Sequence, residues 1–196
     1  MAAPPVVATA TDDIENTAPQ HSETAWGRLV SDALRTLAKS DVALVNAGSL
    51  KPGTLPSGAF TQAQIDALLN FPADDIVVLP LQGAALRSAL ELSLRAYPTG
   101  SPAYLQGSGW TGTFNPQAPA GKRVTALRIN GKEISNNTTY QVAMPVSLAQ
   151  GANGYFAYWN DAAARSLKTT ISAAIADYCH NKHTLSPPKE ERIKGQ

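Results

Sequence analysis

The sequence predicts a mixed α+β protein with helices packed outside sheets. Three observations lead there. Short apolar runs alternate with helical stripes over the first half of the chain. From Tyr104 onward, β-prone stretches follow one another with turn signals between them. A helical pattern then returns near the end. With 196 residues and 43% hydrophobic content, the chain can bury a substantial core without disulfide or metal staples.

Val6 to Ala10 is short and β-prone, and a polar loop is expected through Ser22. Trp26, Leu29, Val30, Ala33, Leu34 and Leu37 then recur at helical spacing, which gives one buried stripe. Val42 to Val45 is continuously apolar and too short for a helix, so it reads as a central strand covered on both faces. Pro52, Gly53, Pro56 and Gly58 mark a loop.

Thr61 and Gln64 have capping-box spacing, and Phe60 with Ile65 has the spacing of a hydrophobic staple. The helix they start is expected to turn Ile65, Leu68 and Leu69 inward and to run to Phe71-Pro72, where proline restricts the preceding residue. Ile76 to Leu79 is the next strand, and Gln82-Gly83 leads into a helix with Leu86, Ala89, Leu90 and Leu94 on one face.

Tyr104 to Gly109, Thr111 to Phe114 and Arg123 to Ile129 read as strands. Asn130-Gly131 is a strong hairpin turn, with pairing resumed at Glu133-Ile134. Tyr140 to Met144 is another strand, and Gln150 to Gly154 a glycine-rich loop. Asp161 is expected to cap a long last helix that buries Leu167, Ile171, Ala174, Ile175 and Tyr178. No linker interrupts the chain, so residues 1–196 are expected as one domain with extended tails at 1–5 and 185–196.

Composition excludes several function classes. A net charge of +1 with scattered Lys and Arg gives no face for a polyanion, so no nucleic-acid partner is expected. No apolar run reaches bilayer length, and the start has neither a basic nor an apolar signal region. Cys179 is the only cysteine, which rules out an internal disulfide. It reads as a small, half-buried apolar residue, because His180 beside it falls on another helix face. His21, His180 and His183 stand in no metal motif, and the last two read as exposed residues at a helix end. Neither a nucleophile elbow nor a phosphate-binding glycine loop is present.

Seven segments, in order and spacing, resemble the C-terminal, substrate-binding domain of the 5'-nucleotidase family. They are E-T-A-W-G-R-L-V-S-D-A-L at 23–34, V-A-L-V-N-A-G-S-L-K at 42–51, F-T-Q-A-Q-I-D-A-L-L-N-F at 60–71 and L-Q-G-A-A-L-R-S-A-L-E at 81–91. Y-L-Q-G-S-G at 104–109, Q-G-A-N-G-Y at 150–155 and E-E-R-I-K at 190–194 complete the set. The resemblance implies a layered α/β/β/α arrangement of mixed sheets covered by helices.

It also implies a ligand: the nucleoside part of a nucleotide, held between two aromatic rings, with arginines on the phosphate and an aspartate on the ribose. Stacking suits a base because every base has a π-face. Carried over position by position, Phe71 stands for the first ring and Ser147 occupies the place of the second. Asn46 and Gly48 match the strand-end turn, Lys51 replaces its arginine, Asn153 replaces the aspartate, and Ala25 replaces the asparagine of E-T-N. Without the resemblance, Phe71 reads as a packing aromatic, Asn46 and Gly48 as turn formers, and Lys51 as a solvated cation.

The expectation is therefore a nucleotide- or nucleoside-binding domain of a 5'-nucleotidase-like phosphohydrolase, in a periplasmic or secreted setting. The family's metal ligands belong to a preceding phosphoesterase domain, and their motifs do not occur in this sequence. No cofactor and no hydrolysis are expected of this chain alone; activity would need that domain in cis or in trans. The alternative is a degenerate, non-enzymatic module for another small ligand or a protein partner.

Overall fold

A computed structural model describes residues 4–159 and 162–196. The elements in chain order are β1 (Val6–Ala10), β2 (Ile14–Asn16), α1 (Ala25–Ala38), β3 (Val42–Asn46), β4 (Gly53–Leu55), β5 (Gly58–Thr61) and α2 (Gln62–Asp66). β6 (Asp75–Gln82), α3 (Gly83–Ser93), β7 (Leu105–Ser108), β8 (Trp110–Phe114), β9 (Val124–Ile129), β10 (Lys132–Glu133) and β11 (Thr139–Pro145) follow. The chain closes with α4 (Val146–Ala149), α5 (Phe156–Trp159), β12 (Arg165–Thr170), α6 (Ile171–Lys182), β13 (Thr184–Leu185) and β14 (Ile193–Gly195). One 3₁₀ turn, Ala47–Ser49, follows β3, and a second, Ala152–Gly154, precedes α5.

The central sheet has the order β12-β6-β11-β3-β7. It is mixed: β11 and β3 run parallel and the other neighbours antiparallel. β3 is buried along its whole length, as expected of a strand with both faces covered. Its side chains alternate between two cores. Ala43 and Val45 join Trp26, Leu34, Ile175 and Cys179 beneath α1 and α6, while Val42 and Leu44 join Leu86 and Leu90 of α3 on the opposite face. That second core continues into the sheet β10-β9-β8-β14 through Trp110, Phe114 and Leu127. The α+β architecture read from the sequence is the one observed.

Local chemistry explains most boundaries. Thr24 caps α1 through its hydroxyl, which accepts from Gly27 N at 2.9 Å. The capping box of Thr61 and Gln64 starts α2, with Phe60 and Ile65 both fully buried. Asn130 and Gly131 take φ of 51° and 77°, the left-handed pair that a two-residue hairpin requires.

Four expectations are corrected. The second helix stops at Asp66, not at Phe71, because backbone groups beyond it are taken by the chain before it. Lys51 N donates to Leu68 O and Asn70 N to Ser49 O. The last helix starts at Ile171 under a Thr170 cap. Arg165–Thr170, including Leu167, forms a strand against Asp75–Val78, and Asp161 lies outside the described residues. The polar loop before Ser22 contains β2, which pairs with β4 in the expected 52–58 loop. Finally, the segment from 185 is built into the fold: β13 pairs with β1, β14 with β8, and Arg192 is buried.

Candidate functional site

The opening and closing motifs meet in a buried polar seam. Gln106, fully buried on β7, accepts from Thr24 N at 3.0 Å and donates to Pro19 O and Ser22 O at 3.0 and 2.9 Å. A Cβ on Gly27 would fall 2.4 Å from the Gln106 amide oxygen, so only glycine lets α1 approach this closely. Thr24 Oγ1 also donates to buried Asn16, whose amide reaches Lys51 O at 2.8 Å.

Arg192 donates to Asp32 at 2.9 Å and to Gly107 O at 2.7 Å, and Ser108 Oγ donates to Asp32 at 2.6 Å. Glu23 accepts from the backbone N–H groups of Arg192 and Ile193 at 2.7 and 3.0 Å. Burial raises the Glu23 pKa, against the lowering effect of those two donors and of Arg28 and Arg192. The seam is a structural clamp between the two ends of the chain.

The candidate site lies where β3 ends. The Ala47–Ser49 turn is fixed by Ala47 N and Gly48 N, which donate to Tyr104 O and Pro102 O, and by Ser49 Oγ on Asn46 at 2.9 Å. A Cβ on Gly48 would sit 3.0 Å from Asn46 Nδ2 and 3.3 Å from Asn153 Nδ2. The two amides therefore flank this glycine, and Asn153 reaches it with left-handed backbone, at φ 58°. Asn70 Nδ2 donates to Gly48 O at 3.0 Å and thereby fixes the residue before Phe71 onto the same turn.

Phe71 is 56% exposed, an unusual place for a phenyl ring. With Pro72, Ala73, Asp74 and Ser147 it lines an open pocket of about 400 Å³. Ser147 N, in the first turn of α4, donates to the Asp74 carboxylate at 3.3 and 3.4 Å.

Five of the six sequence-predicted residues thus fall into two adjoining groups: Asn46, Gly48 and Asn153 around the turn, and Phe71 with Ser147 at the pocket. Lys51 differs. Its backbone is tied to Leu68 and Asn16, but its side chain is exposed and makes no hydrogen bond or ion pair among the described residues. Asn70 and Asp74 are additions the sequence reading missed. An asparagine ending a helical pattern and an aspartate after F-P carry only ordinary turn signals.

Elsewhere, His180 and His183 are exposed, with ring centroids 6.0 Å apart. Cys179 is fully rather than half buried, and burial pushes its thiol up to about 12, far from a reactive thiolate. Among the described residues no group of three or more His, Cys, Asp or Glu is arranged to hold a metal ion. No helix among them is long and apolar enough to cross a membrane.

Fold and motif order together define the class, a domain of the nucleotidase kind. The family model "5'-nucleotidase, C-terminal domain" matches residues 6–159, and the chain belongs to that family. Snake venom 5'-nucleotidase of Naja atra is 27% identical over 145 residues, covering 70% of this chain and 27% of that protein. The trifunctional nucleotide phosphoesterase protein YfkN of Bacillus subtilis is 29% identical over 142 residues, covering 68% and 10%. The chain therefore spans about a quarter or less of these relatives.

Among solved structures, the 5'-nucleotidase precursor of Thermus thermophilus superposes with a TM-score of 0.88 at 23% identity, over 97% of this chain and 39% of that one. The sulfate thiohydrolase SoxB of Thermus thermophilus shares the fold with a TM-score of 0.79 at 19% identity, over 97% and 35%. These likenesses establish the fold.

Proposed function

We propose that this domain binds a nucleoside or nucleotide at the Phe71 pocket for a phosphoesterase domain supplied in cis or in trans. The observation that supports it is an exposed phenyl ring held beside a turn with two flanking amides, in a domain of the 5'-nucleotidase family. Hydrolysis and its divalent metals belong to the other domain. A periplasmic or secreted setting accords with the venom relatives. The differences at Lys51, Ser147 and Asn153 make the site weaker than a full nucleotide clamp: one stacking wall, the planar guanidinium fork and the ribose carboxylate are all replaced.

Titration calorimetry with adenosine and AMP tests this. Wild-type protein should bind at or above the millimolar range. Ser147→Phe should tighten binding by about ten- to a hundredfold by restoring a second wall, and Phe71→Ala should abolish the gain. Lys51→Arg and Asn153→Asp should add smaller, roughly independent increments. A folded triple variant without nucleotide binding at millimolar ligand would replace this reading by the other one, a module for a protein partner or a different small ligand. Phosphate release from AMP by the purified chain with divalent metals should not exceed the blank.

A further inference from the structure

We propose that Asn130 is a self-modification site: its side-chain amide is lost to attack by the backbone nitrogen of Gly131, with the Arg35 guanidinium holding the charge that develops on Asn130 Oδ1. Asn-Gly occurs twice in the chain, at 130–131 and 153–154, so the molecule carries its own control. Both pairs lie on the surface, and both asparagines are left-handed, at φ 51° and 58°. Glycine puts no side chain over its own nitrogen and leaves the backbone free to turn. On sequence and φ alone the two sites should react alike.

Their surroundings differ. Arg35 Nη2 donates to Asn130 Oδ1 at 2.7 Å, and Arg35 Nε donates to Asp41 O at 3.1 Å, which fixes the guanidinium. The Asn153 amide lies against Gly48, and no cation among the described residues is bonded to it. The attacking nitrogens differ too. Gly154 N donates to Gly151 O at 3.2 Å, whereas Gly131 N has no acceptor among the described residues. Gly131 sits at the tip of a hairpin whose second strand, β10, has two residues. Little pairing therefore resists the local rotation that ring closure needs. The turn borders an open cavity of about 340 Å³, shared with Asp32, Arg35, Glu190 and Arg192, so water reaches it.

No oxidant or reductant is needed. Hydroxide takes the Gly131 N–H proton, and the nitrogen bonds to Asn130 Cγ. The carbonyl electrons move onto Oδ1, where a donor already in place stabilises the charged intermediate more than the neutral amide. Collapse breaks the Cγ–Nδ2 bond, and the nitrogen leaves as ammonia after taking a proton from water, which returns the hydroxide. Water then opens the cyclic imide at one carbonyl or the other, giving aspartate or isoaspartate. Conversion cancels the formal net charge of +1. It also places a carboxylate beside Arg35, which has no ion-pair partner among the described residues.

The experiment ages wild-type protein in mildly alkaline buffer made with heavy-oxygen water and follows both sites by peptide mass spectrometry. Asn130 should convert about tenfold faster than Asn153, with heavy oxygen incorporated. In urea the two should convert at similar rates, because the contacts that separate them are gone. Folded Arg35→Gln, with an unchanged circular dichroism spectrum, should slow Asn130 several-fold and leave Asn153 as it was. Equal conversion of the two sites in folded wild-type protein, or faster conversion at Asn153, overturns the proposal, and this comparison needs no variant to fold. An Asn130 rate unchanged or raised in Arg35→Gln overturns the part given to Arg35.

Discussion

Two polar regions of this molecule contrast sharply. In the seam, Thr24, Gln106, Ser108 and Arg192 are buried and bonded to one another, to the Asp32 carboxylate or to backbone. In the cleft, Phe71 and Asn153 are exposed, and the Asp74 carboxylate accepts from only one donor among the described residues, at 3.3 and 3.4 Å. Most of the seam's hydrogen-bonding capacity goes into holding the chain's ends together, with buried Glu23 Oε1 and Arg28 Nε left over among the described residues, whereas the cleft keeps more of its capacity free. A substitution in the seam must then cost stability, and one in the cleft can change ligand preference at no cost to the fold. Lysine, serine and asparagine at 51, 147 and 153 fit that rule.

The strongest way to break this contrast is to remove Arg192. Its guanidinium neutralises Asp32 and satisfies Gly107 O from a nearly inaccessible position. Arg192→Ala leaves a partly buried carboxylate without its partner, and such losses amount to about 3–5 kcal/mol. Urea denaturation should show that drop, whereas Phe71→Ala should leave the midpoint almost unmoved. A loss below about 1 kcal/mol for Arg192→Ala would mean that the seam does not hold the chain's ends together.

Thr24→Ala sharpens the contrast at intermediate size. The hydroxyl caps α1 and also donates to Asn16, which is fully buried. A lost cap typically costs about 1 kcal/mol, and the orphaned Asn16 oxygen raises that to roughly 2 kcal/mol. Thr24→Ser keeps both bonds and should recover most of it. If serine fails to rescue stability, the methyl packing rather than the hydrogen bonds carries the effect.

How much of this was legible beforehand follows the same division. The α1 stripe (apart from Leu37, which is exposed), the Thr61–Gln64 box and the Asn130-Gly131 hairpin depend on residues a few positions apart, and each was readable. The role of Arg192 was not, although 190–194 stands among the matched segments: its partners Asp32 and Gly107 are far away in sequence, and its own neighbourhood looks like a charged tail. The start of the last helix was misplaced for a similar reason. Arg165–Thr170 becomes a strand because β6 offers it an edge, which no local pattern reveals. At the cleft, Phe71, Asn46 and Asn153 were found through resemblance to a family. Asp74 lies outside the matched pattern, and only its place beside Phe71 and Ser147 distinguishes it from any other turn aspartate.

The smallest effect lies at the solvent edge of the seam. Glu190 accepts from Arg192 at 2.6 Å, and this hydrogen bond holds its carboxyl below the usual range. Its side chain remains 65% exposed, so water and salt screen the pair, and its contribution is about 0.5 kcal/mol. The sign follows from linkage. A carboxyl whose folded pKa is depressed stabilises the protein above its unfolded pKa, and that contribution fades as pH falls through the folded value. Glu190→Gln should therefore cost its small increment at pH 7 and nothing once the pH is well below about 4. Raising salt at pH 7 should shrink the difference too. Glu23 runs the other way: its raised pKa makes the buried charge a burden that sets in as pH rises above the normal carboxylate range. Paired stability curves for wild type and Glu190→Gln across pH 3 to 8 separate the two groups, since both proteins retain Glu23 and only their difference reports Glu190. A difference that grew toward acid would reverse the assigned sign and place Glu190 among the groups that the fold burdens.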